Sequence, residues 1–232
     1  MDVLKHYKSK FFSIKHLLQR DNPVVVEIGA HYGEDSMRFM QVFENIDLHC
    51  FEPDPRNIKI FKKFVNDDRV KLYELALSNK KGRAVFYQSY QPYEQVDVPS
   101  KYDWINYEDY KEEKLNNSGS SSLKKGYAHT LDAPIYVETE RFENWYNDVN
   151  LDEIDFVWID VQGAEKDVLD GMGAAISKIK FIWIEYGEKE YEDSMTREET
   201  ISKVTQNGFE LLGTPSSHTP VGDLLFRRKH DI

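Results

Sequence analysis

Residues 24–36 read VVVEIGAHYGEDS, and this stretch decides the fold. Val24, Val25, Val26 and Ile28 form a short β-branched run, interrupted by Glu27 and stopped at Gly29. Apolar residues on both sides of a strand suit one buried on both faces, as in a parallel sheet. Gly29 and Gly33 then bracket a turn of the form G-x-x-x-G. A glycine lets the backbone approach a ligand closely and open a helix tightly without a Cβ penalty. The spacing departs from the dinucleotide fingerprint G-x-G-x-x-G, which seats a pyrophosphate on a helix N-terminus. His31 stands where that fingerprint has its second glycine. The turn Gly29-Ala30-His31-Tyr32-Gly33 therefore suits a ligand without phosphates and with a charged amino-acid tail, whose ammonium Glu27 would help anchor. The plainer reading of Glu27 is a carboxylate satisfied by loop amides.

Working outward, a helix is expected after Gly33 with Met37, Met40 and Phe43 inward, followed by a strand over Leu48–Phe51. Asp54 reads as an N-cap with Pro55 at the first helical position, and Ile58, Phe61 and Val65 supply the buried stripe. Val70–Leu75 gives a third strand. Repeated strand–helix alternation predicts an α/β, Rossmann-like fold, a mostly parallel doubly wound sheet covered on both faces. Further strands are expected at Ala84–Gln88, Ile135–Glu138, Phe156–Asp160 and Phe181–Glu185, with helices at Arg141–Asn147 and Ala164–Gly171. Thr196 and Glu199 form a capping box, and the helix they open ends before Gly208. Phe209–Leu212 and Asp223–Arg228 read as an antiparallel pair at the sheet edge.

Two segments stand apart. Periodicity disappears between Ser89 and Gly126, a stretch containing Tyr90, Tyr93, Tyr102, Trp104, Tyr107 and Tyr110. A connection of that length is usually functional or disordered, and it reads as an inserted acceptor-side lid. The opening segment carries Leu4, Tyr7, Phe11, Ile14 and Leu18 on one helical face and Lys5, Lys8, Lys10, Lys15 and Arg20 on the other. A helix packed on the domain edge with a solvated basic face is favoured over a membrane-surface or partner-binding helix. The expected organisation is an N-terminal helical segment, residues 1–22, and one domain, 23–232, with an insertion at 89–126.

The chain has 232 residues, 40% hydrophobic and 31% charged, with a formal net charge of −11. That field repels phosphate backbones, so no nucleic-acid partner is expected and a neutral or sugar-like substrate fits better. Cys50 is the single cysteine, which excludes an intrachain disulfide and suits a reducing compartment. Without an apolar run of membrane-spanning length or a signal-peptide core, a cytoplasmic location without stable membrane insertion is expected.

Glu52 ends the second strand about 20 residues past the glycine turn, where an acid can accept ribose hydroxyls. Phe51 and Pro53 flank it. Asp160 and Glu185 end two later strands and are expected to converge on the same crevice. One of them can deprotonate a substrate hydroxyl, or both can hold a divalent cation. Capping of backbone amides is an equal alternative for Glu185.

With these residues assembled, the chain resembles the FkbM family of methyltransferases, whose characterised members methylate hydroxyl groups on natural products and sugars. The resemblance rests on VVEIGAHYGEDS, on FEPDP at 51–55, ELALSN at 74–79, SGSSSL at 118–123 and DFVWIDVQGAEKDVLDGM at 155–172. It implies the class I methyltransferase fold and S-adenosylmethionine as cofactor. The glycine turn would hold the methionine moiety, Glu52 the ribose, and Ala76 with Leu77 would flank the adenine. The serine cluster, Ser122 included, would lie near cofactor or acceptor, where the residues alone suggest a flexible linker. Three positions depart from the family pattern: Glu27 replaces Asp, Gln162 replaces Glu, and Thr139-Glu140-Arg141 replaces Thr-Leu-Asp. The expected reaction is O-methylation of a sugar or glycan hydroxyl, with Asp160 as base. The rivals are a non-sugar hydroxyl acceptor, a noncatalytic cofactor-binding module, a nicotinamide oxidoreductase and a nucleic-acid methylase.

Overall fold

The computed structural model describes residues 3–89, 118–127, 134–218 and 220–229. Helix α1 (Val3–Leu18) precedes the alternation β1 (Val24–Ile28), α2 (Glu34–Val42), β2 (Asp47–Phe51), α3 (Pro55–Phe64) and β3 (Val70–Tyr73). After three strands of a smaller sheet come α4 (Phe142–Val149), β7 (Ile154–Ile159), α5 (Glu165–Gly171) and a 3₁₀ turn at Gly173–Lys178. The chain ends with β8 (Ile179–Gly187), α6 (Arg197–Gln206), β9 (Phe209–His218) and β10 (Val221–Arg228).

The main sheet has seven strands in the order β3-β2-β1-β7-β8-β10-β9. The first five run parallel, and β10 and β9 pair antiparallel at the edge, as expected. Successive residues of the central strands feed opposite layers, because side chains alternate across a strand. Val26, Ile28, Val157, Ile159, Ile182 and Ile184 face one layer, completed by Phe142, Trp145, Val168 and Met172. Val25, Phe156, Trp158 and Trp183 face the other, completed by Phe11, Ile14, Phe39, Phe43 and Phe61. In α2 the buried stripe runs through Phe39 and Val42, while Met37 and Met40 are half-buried.

The first helix packs against this second layer through Phe11 and Ile14. Its described cations are not simply solvated. The Lys10 ammonium lies 4.0 Å from the Trp158 ring centroid and 3.9 Å from an Asp223 carboxylate oxygen. Lys15 donates to the Val42 carbonyl at 2.6 Å, and Arg20 pairs with Asp155 at 3.1 Å. The expectation of a solvated basic face is corrected at Lys10, Lys15 and Arg20, whose long stems carry their charges onto rings and acceptors of the sheet and of α2.

A second sheet, not foreseen from the sequence, joins β4 (Ala76–Leu77), β5 (Gly82–Phe86) and β6 (Ile135–Glu140) in the order β4-β6-β5. Thr139 and Glu140 extend β6 beyond its expected end to pair with Ala76 and Leu77. The aromatic lid residues Tyr90 to Tyr110 lie outside the described residues. The serine segment is anchored: Ser122 bridges to Tyr87, and Gly126 to Tyr191. Among the described residues no helix is long and apolar enough to cross a membrane.

Candidate active site

A cavity of about 830 Å³, its open mouth included, lies at the carboxyl ends of β1, β2 and β7. This is the crevice in which open parallel sheets bind ligands. Glu27, Gly29, Ala30, His31, Glu52, Pro53, Ala76, Leu77 and Asp160 all line it. Gly33, Ser122 and Glu185 do not.

The glycine turn is shaped by close approach. Gly29 has φ +92°, and a Cβ there would lie 1.8 Å from the Asp160 carbonyl oxygen. The N–H groups of Gly29 and Ala30 both donate to the Phe51 carbonyl at 3.0 Å, tying β1 to β2 at the crevice. Gly33 has φ +93°, but its missing side chain makes room for Val65 and Phe61. It seats α2 against the α3 region and leaves the cavity wall to its neighbours. His31 reaches Glu34 through Nδ1 and Ser118 through Nε2, each at 2.9 Å.

Glu52 is held by three donors. Its Oε2 accepts the His31 N–H at 2.8 Å, and Oε1 accepts the Asp54 N–H at 2.8 Å and the Asn57 amide at 3.1 Å. Burial pushes its pKa up to about 7, against the opposing pull of His31 and these backbone donors. A carboxylate offers about four acceptor directions, so roughly one remains for a ligand hydroxyl. Glu27 accepts from the Ser36 hydroxyl and weakly from the Cys50 thiol at 3.5 Å. Burial, then the charge of Asp35, raises its carboxyl well above the usual range. A cation in the cavity would draw that carboxyl back toward its ionised form. Ala76 and Leu77, with Phe51, Leu75, Phe86 and Leu123, make an apolar wall suited to a flat ring.

Asp160 follows β7 and lines the cavity, whereas Glu185, within β8, does not reach it, contrary to expectation, and Gln162 links the two. Gln162 Nε2 donates to Asp160 Oδ1 at 2.6 Å and to Glu185 Oε2 at 2.8 Å. Its Oε1 accepts the Tyr191 hydroxyl at 2.9 Å. Burial raises the pKa of both acids, and Asp160, Glu165 and Asp223 raise Glu185 further. Glu185 thus sits behind Asp160 and Gln162, which reach the cavity. Ser122 is a staple for the loop: its hydroxyl donates to the Val161 carbonyl at 3.2 Å and accepts the Lys124 N–H at 2.9 Å. Ser118, Gly119 and Ser121 line the cavity in its place.

Asn57 and Tyr191 were not singled out from the sequence, whereas Ser118 belongs to the serine cluster expected near cofactor or acceptor and does line the cavity. Asn57 had a usable signal, an amide in the first turn of a helix next to an acid. Tyr191 had none, since it lies 29 residues beyond the glutamine it meets.

The methyltransferase FkbM domain matches residues 27–211. The chain belongs to the FkbM methyltransferase family. This FkbM chain is 37% identical over 183 residues to 2-O-methyltransferase NoeI of Sinorhizobium fredii (strain NBRC 101917 / NGR234), covering 76% of the chain and 68% of NoeI. In fold it is similar to magnesium protoporphyrin IX methyltransferase (ChlM) of Synechocystis PCC 6803, solved with bound S-adenosylmethionine. That match has a TM-score of 0.50 and 10% identity, over 98% of this chain and 82% of that one. A structure of a putative rRNA methylase from Clostridium thermocellum has the same TM-score of 0.50 at 11% identity, covering 94% of each chain. The FkbM protein is therefore an S-adenosylmethionine-dependent methyltransferase of class I fold. Its residues fit that cofactor: a phosphate-free glycine turn, an acid for the ammonium, an acceptor at Glu52 and an apolar wall.

Proposed function

We propose that this FkbM protein transfers a methyl group to a hydroxyl of a sugar or glycan. The observation that carries the reading is the carboxyl of Asp160, held by Gln162 at the wall of the cavity, beside the glycine turn. Relatedness to a 2-O-methyltransferase supports a hydroxyl acceptor. The net charge of −11 favours an uncharged one over nucleic acid.

Bound S-adenosylmethionine supplies an electrophilic sulfonium methyl group. The protein orients, dries and deprotonates. Glu52 would accept a ribose hydroxyl's hydrogen bond on its remaining lone pair, Glu27 would face the ammonium, and Ala76 and Leu77 would flank the adenine. Asp160 takes the proton of the acceptor hydroxyl as its oxygen attacks. Positioning contributes roughly 7–11 kcal/mol, whereas a general base typically adds about 10²–10⁴-fold, so orientation dominates.

The test is transfer of labelled methyl from the cofactor to a panel of mono- and oligosaccharides and of non-sugar alcohols. Asp160→Asn should lower kcat by about 10²-fold or more while leaving cofactor binding by calorimetry near wild type. Full turnover in that variant would remove Asp160 from the role, and transfer to non-sugar alcohols alone would remove the sugar.

A further inference from the structure

The turn after β7 places a neutral amide between two buried acids. Gln162 donates one N–H to Asp160 at 2.6 Å and the other to Glu185 at 2.8 Å. Each acid accepts through a carboxyl oxygen, which it can do with one proton held between the two, and the Tyr191 hydroxyl donates to the amide oxygen at 2.9 Å, so one orientation of the amide satisfies all three contacts. The backbone is bent to aim this side chain. Gln162 has φ +55°, a left-handed conformation uncommon for a residue with a Cβ. Gly163 follows at φ +92°, and a Cβ there would strike Tyr191 at 2.4 Å. A strained pair of residues whose side chain bridges two acids and a phenol is a device for holding them.

We infer that Gln162 is a positioning residue that holds Asp160 and Glu185 together as one proton-sharing pair, so that Asp160 faces the cavity able to accept a proton. The inference rests on the proposed role of Asp160 as base and adds what prepares it. An isosteric glutamate in the same place would bring a third acid to the pair.

The charged surroundings favour retention of a proton. Asp35 of α2 and Asp223 of β10 face Asp160, and Glu165 of α5 and Asp223 face Glu185. Tyr191 stands on the far side of the amide. Two cations face Asp35: Arg38 of α2, paired with it at 2.9 Å, and Lys10 of α1, which also lies 3.9 Å from Asp223. Asp160 and Glu185 accept from the two N–H groups of one amide, and the charge of Asp160 raises the pKa of Glu185, so the two carboxyls titrate as a unit with one proton between them. The amide N–H groups stabilise the remaining negative charge without adding one.

The experiment is a carbon-13 carboxyl NMR titration of the protein saturated with S-adenosylhomocysteine, with the two resonances assigned from Asp160→Asn and Glu185→Gln. In the wild type both resonances should respond to the same two steps, the upper one above the ordinary carboxylate range. Gln162→Glu should move the upper step up by about one unit or more. Gln162→Ala, which removes both donors, should move it up by less. The acid limb of the kcat profile should move with that step while KM for the cofactor holds. Independent titration of Asp160 and Glu185 in the ordinary range in the wild type would overturn the inference. So would an upper step unchanged in both Gln162 variants. The titration needs no acceptor, so a failed methyl-transfer assay would count against the proposed reaction and leave this result readable.

Discussion

At Gly29 the backbone has φ +92°, and a Cβ would meet the Asp160 carbonyl oxygen at 1.8 Å. Gly29→Ala should therefore push β1 from β7 at the mouth of the cavity and weaken cofactor binding by at least about tenfold, read by calorimetry with S-adenosylhomocysteine. Glu52 gives a pH effect with a definite sign. Its free-state pKa is about 7, and a ribose hydroxyl donates more strongly to the ionised form. Cofactor affinity should fall as pH drops below about 7, by up to about tenfold per unit, with proton release seen by calorimetry in buffers of different ionisation enthalpy. Gly29 and Glu52 were legible because their spacing follows the fold. Gly33 was only half legible: a glycine demanded by positive φ and packing reads the same as one demanded by a ligand.

At the scale of elements, β2 passes into α3 through Asp54, a fully buried N-cap. Its carboxylate accepts the Arg56 N–H at 3.0 Å, the Gln88 amide at 2.8 Å and the Arg56 guanidinium at 2.7 Å. The same guanidinium reaches the Ser89 carbonyl at 3.2 Å and the Ser121 hydroxyl at 3.4 Å, so one acid ties the helix start to the serine segment. Asp54→Ala should cost about 3–5 kcal/mol in chemical denaturation, because it removes the carboxylate that buried Gln88 and half-buried Arg56 donate to. The caps were readable in advance. Asp54-Pro55 and the Thr196/Glu199 box are local arrangements, and the structure has both. The small sheet was not, since β4 is two residues long and its partners Thr139 and Glu140 lie far along the chain. No local pattern encodes that register.

In the molecule as a whole, ligand binding has been built at the expense of buried acids. Burial lifts both Glu52 and Glu165 from 4.5 to about 7. The folded chain therefore binds more protons than the unfolded one between about 4.5 and 7, and stability must fall as pH rises through that window. Each acid contributes on the order of 3 kcal/mol to the fall. Denaturant midpoints of the ligand-free protein should decline from pH 5 to 7, and a flat or rising profile would contradict the burial of these groups. The overall architecture was legible because strand–helix alternation repeats along the chain, whereas the pairing of Gln162 with Tyr191 is a long-range contact that alternation cannot show. The lone thiol offers a last consequence. Cys50 is sealed in β2 beside Glu27, and its pKa is raised well above the ordinary value by burial. A disulfide reagent such as Ellman's can reach it only when the sheet breathes open at the cofactor pocket, so its labelling rate becomes a clock for that opening, and cofactor should slow the clock in proportion to occupancy.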